Sequence, residues 1–224
     1  EVESGEIVAY CDNSDMSFER EGKWVDIARA NRSSGSILKP LLYTVALQEG
    51  IILPETLLPD VPTDFRGFTP KNFDGTYAGA IAADEALALS LNIPNVHLLK
   101  AYGVARFAET LQRAGFVSLN RSTDKYGLSL VLGGAEVCLC DVVSCYARMA
   151  ACYIDTTAYA EFPLRDRVAL YHTFNAMREV NRPDQMDWRR ATSVQNVAWK
   201  TGTSYGSRDA WAIGVTPQYV VGVW

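Results

Sequence analysis

The chain has 224 residues, of which 48% are hydrophobic and 21% are charged, and its formal net charge at pH 7 is -5. These values are typical of a globular protein with one sizeable domain or two small ones. They disfavour nucleic acid as a partner, because no basic stripe is present, and no apolar run is long enough to span a bilayer. The start of the chain shows no signal peptide.

The N-terminal part of the chain predicts one strand, a loop and then a helix. Residues 6–11 (EIVAYC) follow a turn-like Ser-Gly pair and predict a short strand, and the polar residues 12–23 predict a loop. A helical pattern begins near Ser36 and continues to about Gly50, a residue suited to a helix end. Residues 51–79 are rich in Pro, Gly, Asp and aromatic residues, so we expect an ordered but irregular segment there.

Helices dominate the middle of the chain, and short strands dominate its end. Helical patterns cover residues 84–92, the segment after Pro94, and residues 105–114, 141–152 and 167–180. In the last helix the residues predicted to face the core recur every three positions and are Val168, Tyr171, Phe174 and Met177. The β-rich segments separated by Gly and Pro turns predict successive antiparallel strands over 197–203, 210–215 and 219–224.

This order of elements predicts an α+β fold. Strands lie at both ends of the chain, in 5–11 and 196–224, and a mostly helical block over 36–182 lies between them. The simplest arrangement is a single domain over 1–224, in which the terminal strands form one antiparallel sheet flanked by helices. Because the chain starts without Met and stops inside an apolar run, we expect both ends to be boundaries within a longer protein.

The five cysteines are predicted to be buried thiols on a helix rather than metal ligands. They are Cys11, Cys138, Cys140, Cys145 and Cys152. No histidine lies near them in the sequence, which disfavours a zinc site. We therefore predict no metal and no cofactor.

The first motif with a chemical meaning is a serine and a lysine three positions apart, Ser36 and Lys39. On a helix these positions share a face, and a neutral lysine amine can take the serine's proton. Free backbone N–H groups near a helix start can stabilise an oxyanion, and Pro40 is tolerated in a first turn. The S-x-x-K pattern alone is weak, since a second copy occurs at Ser122 and Lys125, in a polar run that opens no apolar helix.

The second motif is the S-x-N triplet formed by Ser90 and Asn92. It lies at the end of a helical pattern, and Pro94 imposes an extended or turn-like residue before it. Such a loop can project a hydroxyl and an amide into a cleft, although these residue types are more often helix caps. A second S-x-N at Ser118 and Asn120 precedes and overlaps the second S-x-x-K, which is the wrong order.

The third motif is a K-T-G triplet near the end of a strand-like segment. Gly202 lets another backbone approach closely, and Thr201 and Thr203 share a strand face. With the positive charge of Lys200, this strand can hold a carboxylate and pair with an extended peptide. The alternative interpretation is an edge strand with a solvated lysine.

The order of the three motifs carries more weight than any one of them. They fall on a helix start, a helix-end loop and a strand, as one shared cleft requires. No G-x-S-x-G, H-E-x-x-H or Walker A sequence occurs, so a Ser-His-Asp hydrolase is disfavoured. We interpret the two histidines, His97 and His172, as packing or surface residues.

With these motifs in place, the chain resembles the penicillin-binding transpeptidase family, and within it the 1C subfamily of the class A bifunctional enzymes. The supporting stretches are residues 32–40 (RSSGSILKP), 69–75 (TPKNFDG), 90–96 (SLNIPNV), 132–134 (LGG), 199–206 (WKTGTSYG) and 208–214 (RDAWAIG). The resemblance implies a serine β-lactamase/transpeptidase-like fold, with a mostly helical subdomain beside the sheet. It also implies a periplasmic location, membrane attachment only through an N-terminal anchor outside this sequence, and possible partners in cell-wall synthesis. No trace of the glycosyltransferase domain of class A proteins is present, so we do not assign glycan polymerisation to this chain.

The resemblance further implies a catalytic set. Ser36 attacks the D-Ala-D-Ala bond of a peptidoglycan stem peptide, Lys39 acts as the base, and Ser90 relays the proton toward the leaving amine. The backbone N–H groups of Ser36 and Thr203 form the oxyanion hole. β-Lactams are implied as covalent inhibitors that acylate Ser36.

The resemblance assigns the remaining motif residues to substrate binding. Asn92 is implied to hydrogen-bond an amide of the substrate. The terminal carboxylate of the substrate is implied to bind to Lys200, Thr201 and Thr203. Gly202 is also implied to be a substrate-binding residue.

Several other functions share these motifs. A β-lactamase is disfavoured, because neither an E-x-x-L-N stretch nor a Y-x-N middle motif occurs. A D,D-carboxypeptidase, which passes the acyl group to water, remains open. Two other functions also remain open: a sensor that binds β-lactams or cell-wall material without turning over a substrate, and a binding module.

Overall fold

The computed structural model describes residues 1–12, 24–122, 125–179 and 197–224. Up to residue 122 its regular elements are β1 (Arg32–Ser33), α1 (Lys39–Gln48), β2 (Leu57–Asp60), β3 (Gly79–Ala82), α2 (Ala83–Ala88), α3 (Asn92–Tyr102) and α4 (Val104–Ala114). After residue 125 they are a 3-10 segment (Leu128–Leu132), β4 (Glu136–Val137), α5 (Leu139–Ile154), α6 (Arg167–Arg178), β5 (Ala198–Thr203), β6 (Ala210–Val215) and β7 (Val220–Val223).

The main sheet consists of three antiparallel strands in the order β5-β6-β7. Lys200 lies opposite Ile213, and Val215 lies opposite Val220. Alternate residues of β6, among them Trp211 and Ile213, are buried, because one face of the sheet packs on the core. Helices α5 and α6 contact this sheet. The three C-terminal strands and the α+β class are therefore as predicted.

Two further strand pairs are short and antiparallel. Arg32 of β1 lies opposite Val137 of β4, and Leu57 of β2 lies opposite Ala82 of β3. The second pair falls largely within residues 51–79, for which the sequence predicts irregular structure. The sequence does not indicate this strand, because β2 contains Pro59, which lacks the N–H that pairing between strands requires.

Helix α1 is the centre of the core. Eight of its ten residues are buried, including the polar Lys39 and Thr44. A helix that is buried on nearly all sides shows no amphipathic stripe, and it packs against α2, α3 and α6. Lys39 is therefore buried because it is part of the helix at the centre of the core.

The predicted strand over residues 6–11 is wrong, since residues 5–11 have no regular secondary structure. Ile7 and Val8 are more than half exposed, and no described residue pairs with this segment as a strand. A strand forms only when a neighbour accepts its hydrogen bonds, and an alternating pattern does not supply one. The contact to the sheet region lies before this segment, where the Val2 N–H donates to the Gln218 carbonyl at 2.9 Å.

Two helix predictions also need correction. Helix α1 begins at Lys39 rather than near Ser36, which lies in a turn just before the helix. In α6, Phe174 and Met177 are buried as predicted, but Val168 is 66% exposed and Tyr171 is 48% exposed. A strict three-residue spacing falls behind the helix repeat of 3.6 residues, so it drifts off the buried face within two turns.

The cysteines mostly match the prediction. Cys145 and Cys152 are buried on α5, Cys138 is buried at its N-cap, and Cys140 is half-buried, whereas Cys11 is exposed and not on a helix. No disulfide joins cysteines of the described residues, and no metal-binding group occurs there. Among these same residues, none of the helices combines the length and apolarity needed to cross a membrane.

Strand β5 lies directly against the turn that precedes α1, and Gly202 is the point of contact. A Cβ at this position would lie 2.7 Å from Ile37 Cγ2 and 2.9 Å from the Ser34 carbonyl oxygen. Real Cβ contacts are not this short, so only glycine permits the approach. The predicted close approach of another backbone at Gly202 is therefore confirmed.

We expect Gly202→Ala to lower the free energy of unfolding by about 1–3 kcal/mol, because the added methyl group overpacks this contact. Urea unfolding would measure the change. Gly127→Ala is the matched control, since its Cβ would meet nothing closer than 4.0 Å and its φ is -96°. Equal stability losses in the two variants would contradict the steric explanation.

Candidate active site

The turn that carries Ser36 is held by hydrogen bonds from two distant elements. The Ser34 N–H donates to the Ala135 carbonyl at 3.0 Å, beside β4. The indole N–H of Trp211, on β6, donates to the Ser33 carbonyl at 2.8 Å. The position of Ser36 is therefore set by the tertiary fold rather than by the start of α1.

Gly35 brings Ser36 next to the end of β5. Its φ is +51°, in the left-handed region, and a Cβ here would lie 2.7 Å from the Thr203 backbone nitrogen. The Ser204 N–H donates to the Asp209 carbonyl on the β6 side. Because successive N–H groups of a strand alternate in direction, the Thr203 N–H points away from β6, toward the side on which Ser36 lies.

Lys39 is fully buried beneath this turn. Its Nζ donates to the Ser90 carbonyl and to Asn92 Oδ1, each at 2.7 Å. The pKa of the Lys39 amine lies well below its ordinary value, first because the amine is buried and second because of the positive charge of Lys200. The neutral amine, which is the form that can act as a base, is therefore easier to reach than in a solvated lysine.

Lys200 is the second buried amine, with 1% exposure. Its Nζ donates to Ser90 Oγ and to the Thr201 carbonyl, each at 2.7 Å. Burial lowers the pKa of Lys200 to about 7. The alternative interpretation of this strand, with a solvated lysine, is therefore wrong.

Ser90 links the two amines. Its carbonyl faces Lys39 and its hydroxyl faces Lys200, and its φ is +56°, which is uncommon for a residue with a side chain. The left-handed conformation lies between α2 and α3 and lets one residue present both oxygens inward. Backbone outliers of this kind cluster at functional sites.

Asn92 is the first residue of α3, and both ends of its side-chain amide are engaged. Its Oδ1 accepts from Lys39, and its Nδ2 donates to the Lys71 carbonyl at 2.7 Å. Lys71 and Asn72 lie within residues 69–75, one of the stretches that carry the family resemblance, but the sequence predicts no role for either residue. Only the resemblance marked that segment, since no local pattern connects it to the start of α3.

A cleft of about 820 Å³ lies in front of these residues. The predicted site residues that border it are Ser36, Ser90, Asn92, Thr201 and Thr203. The two lysines lie behind its wall, and Gly202 packs against the Ser36 turn. The opposite walls come from residues 68–73 and 204–207. The structure therefore brings all eight predicted residues together.

The second copies of the motifs and the histidines lie elsewhere. Neither Ser122 nor Lys125 borders the cleft. His97 packs on the ring of Phe65, and His172 packs on that of Tyr171. The cleft thus combines an accessible serine with two buried amines of lowered pKa, and the described residues bring no imidazole to it, an arrangement suited to acyl transfer with an amine base.

Fold and site together define the serine β-lactamase/transpeptidase-like class. The chain belongs to the penicillin-binding protein transpeptidase domain family, whose model matches residues 1–223. It is 40% identical over 207 residues to penicillin-binding protein 1C of Escherichia coli (strain K12), covering 89% of this chain and 27% of that protein. It is 29% identical over 227 residues to penicillin-binding protein 1A of Neisseria cinerea, covering 88% of this chain and 28% of that protein. The chain therefore spans little more than a quarter of these relatives.

Solved structures confirm the predicted fold. The penicillin-binding protein PonA1 of Mycobacterium tuberculosis superposes with a TM-score of 0.72 at 23% identity, over 88% of this chain and 60% of that one. Penicillin-binding protein 1A of Haemophilus influenzae gives 0.69 at 21% identity, over 88% of this chain and 38% of that one. The resemblance noted in the sequence is thus confirmed for both family and fold.

The lowered pKa of Lys200 makes stability depend on pH. Between about 7 and its ordinary value of 10.5, the unfolded chain binds a proton that the folded chain has released. The contribution of Lys200 to stability therefore rises with pH in this window, by at most about 1.4 kcal/mol per pH unit. We expect the free energy of unfolding of the wild type, relative to Lys200→Met, to rise from pH 7 to pH 10 in urea unfolding.

The exposed Lys100→Met variant controls for the loss of one positive charge. A difference between wild type and Lys200→Met that stays constant from pH 7 to pH 10 would contradict a folded state in which Lys200 is buried with a lowered pKa.

Proposed function

We propose that this chain is the domain of a serine D,D-transpeptidase that cross-links peptidoglycan stem peptides through a Ser36 acyl-enzyme. The proposal rests on one observation above all. Ser36 borders a cleft behind which two buried amines, Lys39 and Lys200, are joined by the two oxygens of Ser90. Family membership and the 40% identity to a penicillin-binding protein 1C support it.

In acylation, Ser36 Oγ attacks the carbonyl carbon of the penultimate D-Ala, and neutral Lys39 takes the hydroxyl proton. The negative oxygen of the tetrahedral intermediate is stabilised by the backbone N–H groups of Ser36 and Thr203. The C–N bond then breaks, and the terminal D-Ala leaves as an amine that takes the proton of the Ser90 hydroxyl, whose oxygen Lys200 holds. Ser90 recovers that proton from protonated Lys39, so that Lys39 is neutral again. An ester at Ser36 remains.

In the second half-reaction, the amine of a neighbouring stem attacks the ester carbonyl. A new amide forms, the amine loses a proton to Lys39, and Ser36 Oγ recovers a proton as the ester bond breaks. The product is a cross-link between two stems. A β-lactam acylates Ser36 by the first half-reaction and persists, because its leaving nitrogen stays attached to the acyl group.

The free edge of β5 suits the donor peptide. Within the described part of the chain, β5 pairs with β6 on one side only, so an extended peptide can add to the other side. Thr201 and Thr203 present exposed side chains on one strand face, and we assign them the terminal carboxylate together with the charge of Lys200. Asn92 contacts a substrate amide through the second N–H of its side-chain amide, while the first stays on the Lys71 carbonyl.

The wider setting is also a proposal. The relatives are penicillin-binding proteins 1C and 1A, and the structure of one neighbour, PonA1, was solved in complex with penicillin V. On this basis we propose a periplasmic location, attachment to the membrane by an anchor outside this sequence, and cell-wall synthesis proteins as partners.

We expect a fluorescent penicillin to label the wild-type chain covalently and to leave Ser36→Ala unlabelled, because the variant has no hydroxyl to form the ester. In-gel fluorescence and intact mass would detect the adduct. Ser122→Ala is the matched control, since it removes the serine of the second S-x-x-K copy. Labelling that survives in Ser36→Ala, or is lost in Ser122→Ala, would refute the assignment of the nucleophile.

The products distinguish a transpeptidase from the two alternatives. With a D-Ala-D-Ala pentapeptide donor and an excess of an amine acceptor, we expect a cross-linked product that mass spectrometry detects. Hydrolysed donor as the main product would instead identify a D,D-carboxypeptidase. Penicillin labelling without either product would identify a sensor.

A further inference from the structure

Asp60 and Asn72 form a buried pair beside the first turn of α3. Asn72 is 3% exposed and Asp60 is 1% exposed. Asn72 Nδ2 donates to Asp60 Oδ1 at 2.7 Å and to the Thr76 carbonyl at 2.9 Å. The other Asp60 oxygen accepts from the Ala78 N–H at 2.8 Å. These bonds satisfy the donors of Asn72 and both oxygens of Asp60, as buried polar groups require.

The side-chain oxygen of Asn72, Oδ1, caps α3 from outside the helix. It accepts from the backbone N–H groups of Asn92 at 2.9 Å and Ile93 at 3.3 Å, which are the first two residues of α3. The N-cap position is occupied by Leu91, whose side chain has no acceptor. A residue 20 positions before Asn92 therefore supplies the cap that the local sequence lacks.

The same segment also orients the side chain of Asn92. The carbonyl of Lys71 accepts from Asn92 Nδ2, and this leaves Asn92 Oδ1 directed at Lys39 Nζ. Because an amide is planar, fixing its NH₂ end also fixes its oxygen. Hydrogen bonds thus run from Asp60 through Asn72 and Asn92 to the amine of Lys39.

We propose that Asn72 is a positioning residue for acylation, which, held by Asp60, fixes the start of α3 so that Asn92 presents its oxygen to Lys39. The inference rests on the proposed function, since it concerns the rate at which Ser36 is acylated. A displacement of about 1 Å at a reacting group costs on the order of 100-fold in rate.

Asn72→Asp is the primary test. The variant keeps the shape of the side chain and an acceptor for α3, but it places a second carboxylate against Asp60 and removes both donors. We expect the rate of labelling by fluorescent penicillin to fall about 10- to 100-fold.

Exchanging the two residues tests the pairing itself. In the double variant Asp60→Asn with Asn72→Asp, the amide at position 60 donates to the carboxylate at position 72, which still accepts from the start of α3. The Thr76 carbonyl alone loses its donor. We therefore expect the double variant to recover part of the rate that Asn72→Asp loses.

Thr173→Val is the control for a general loss of stability. Thr173 is fully buried in α6 and shares a 2.8 Å hydrogen bond with Thr44 of α1, away from the cleft. The variant removes a buried hydrogen bond without touching the start of α3. We expect it to lower the unfolding midpoint and to keep the wild-type labelling rate.

Amide hydrogen exchange at Asn92 and Ile93, measured by NMR, tests whether Asn72 caps α3 and does not depend on an activity assay. We expect exchange at both amides to accelerate at least tenfold in Asn72→Ala and to be unchanged in Thr173→Val.

Unchanged exchange in Asn72→Ala, unchanged labelling in Asn72→Asp, no recovery in the double variant, or an equal rate loss in Thr173→Val would each overturn the proposal. A wild-type chain that is never labelled would count against the proposed function instead, and the exchange measurement would still decide whether Asn72 holds α3.

Discussion

The burial of two lysine amines in one site is the constraint on which the rest of this structure depends. Removing an ammonium group from water costs several kcal/mol unless hydrogen bonds and charge compensate it. Lys39 and Lys200 are nearly inaccessible, each has two oxygen acceptors at 2.7 Å, and each pKa is lowered by burial. None of these four acceptors is a carboxylate. The site is therefore built to hold amines that give up a proton easily, rather than a pair of permanent charges.

The surrounding fold makes this burial possible by bringing the Ser36 turn and β5 into direct contact. Gly35 allows the Ser36 turn to touch Thr203, and Gly202 allows β5 to touch Ile37. A larger residue at either position would push the strand and the turn apart. Helix α1 completes the enclosure, because it is buried almost all round and carries Lys39 into the core.

The sequence predicted the site better than it predicted the sheet. The three motifs identify residue types whose chemistry requires proximity, so their order along the chain implied one cleft, and the eight residues do lie together. The strand over 6–11 was wrong because pairing depends on a neighbour that no local pattern reveals. Asn72 was given no role for a related reason: its partners Asp60 and Asn92 lie 12 and 20 positions away, and a buried asparagine has no sequence signature.

The hydrogen-bond directions at the two amines also separate their roles. A neutral amine has two N–H donors and one lone pair, and the Ser90 carbonyl and Asn92 Oδ1 take two donors of Lys39. In the proposed acylation Lys39 is neutral, and its remaining lone pair accepts the proton of Ser36. Lys200 donates to Ser90 Oγ, so the hydrogen of that hydroxyl must point elsewhere, and the open direction is the cleft that Ser90 borders. In the proposed acylation, Lys39 thus takes a proton and Lys200 makes Ser90 a donor, so the two amines serve the two proton transfers that breaking an amide bond requires.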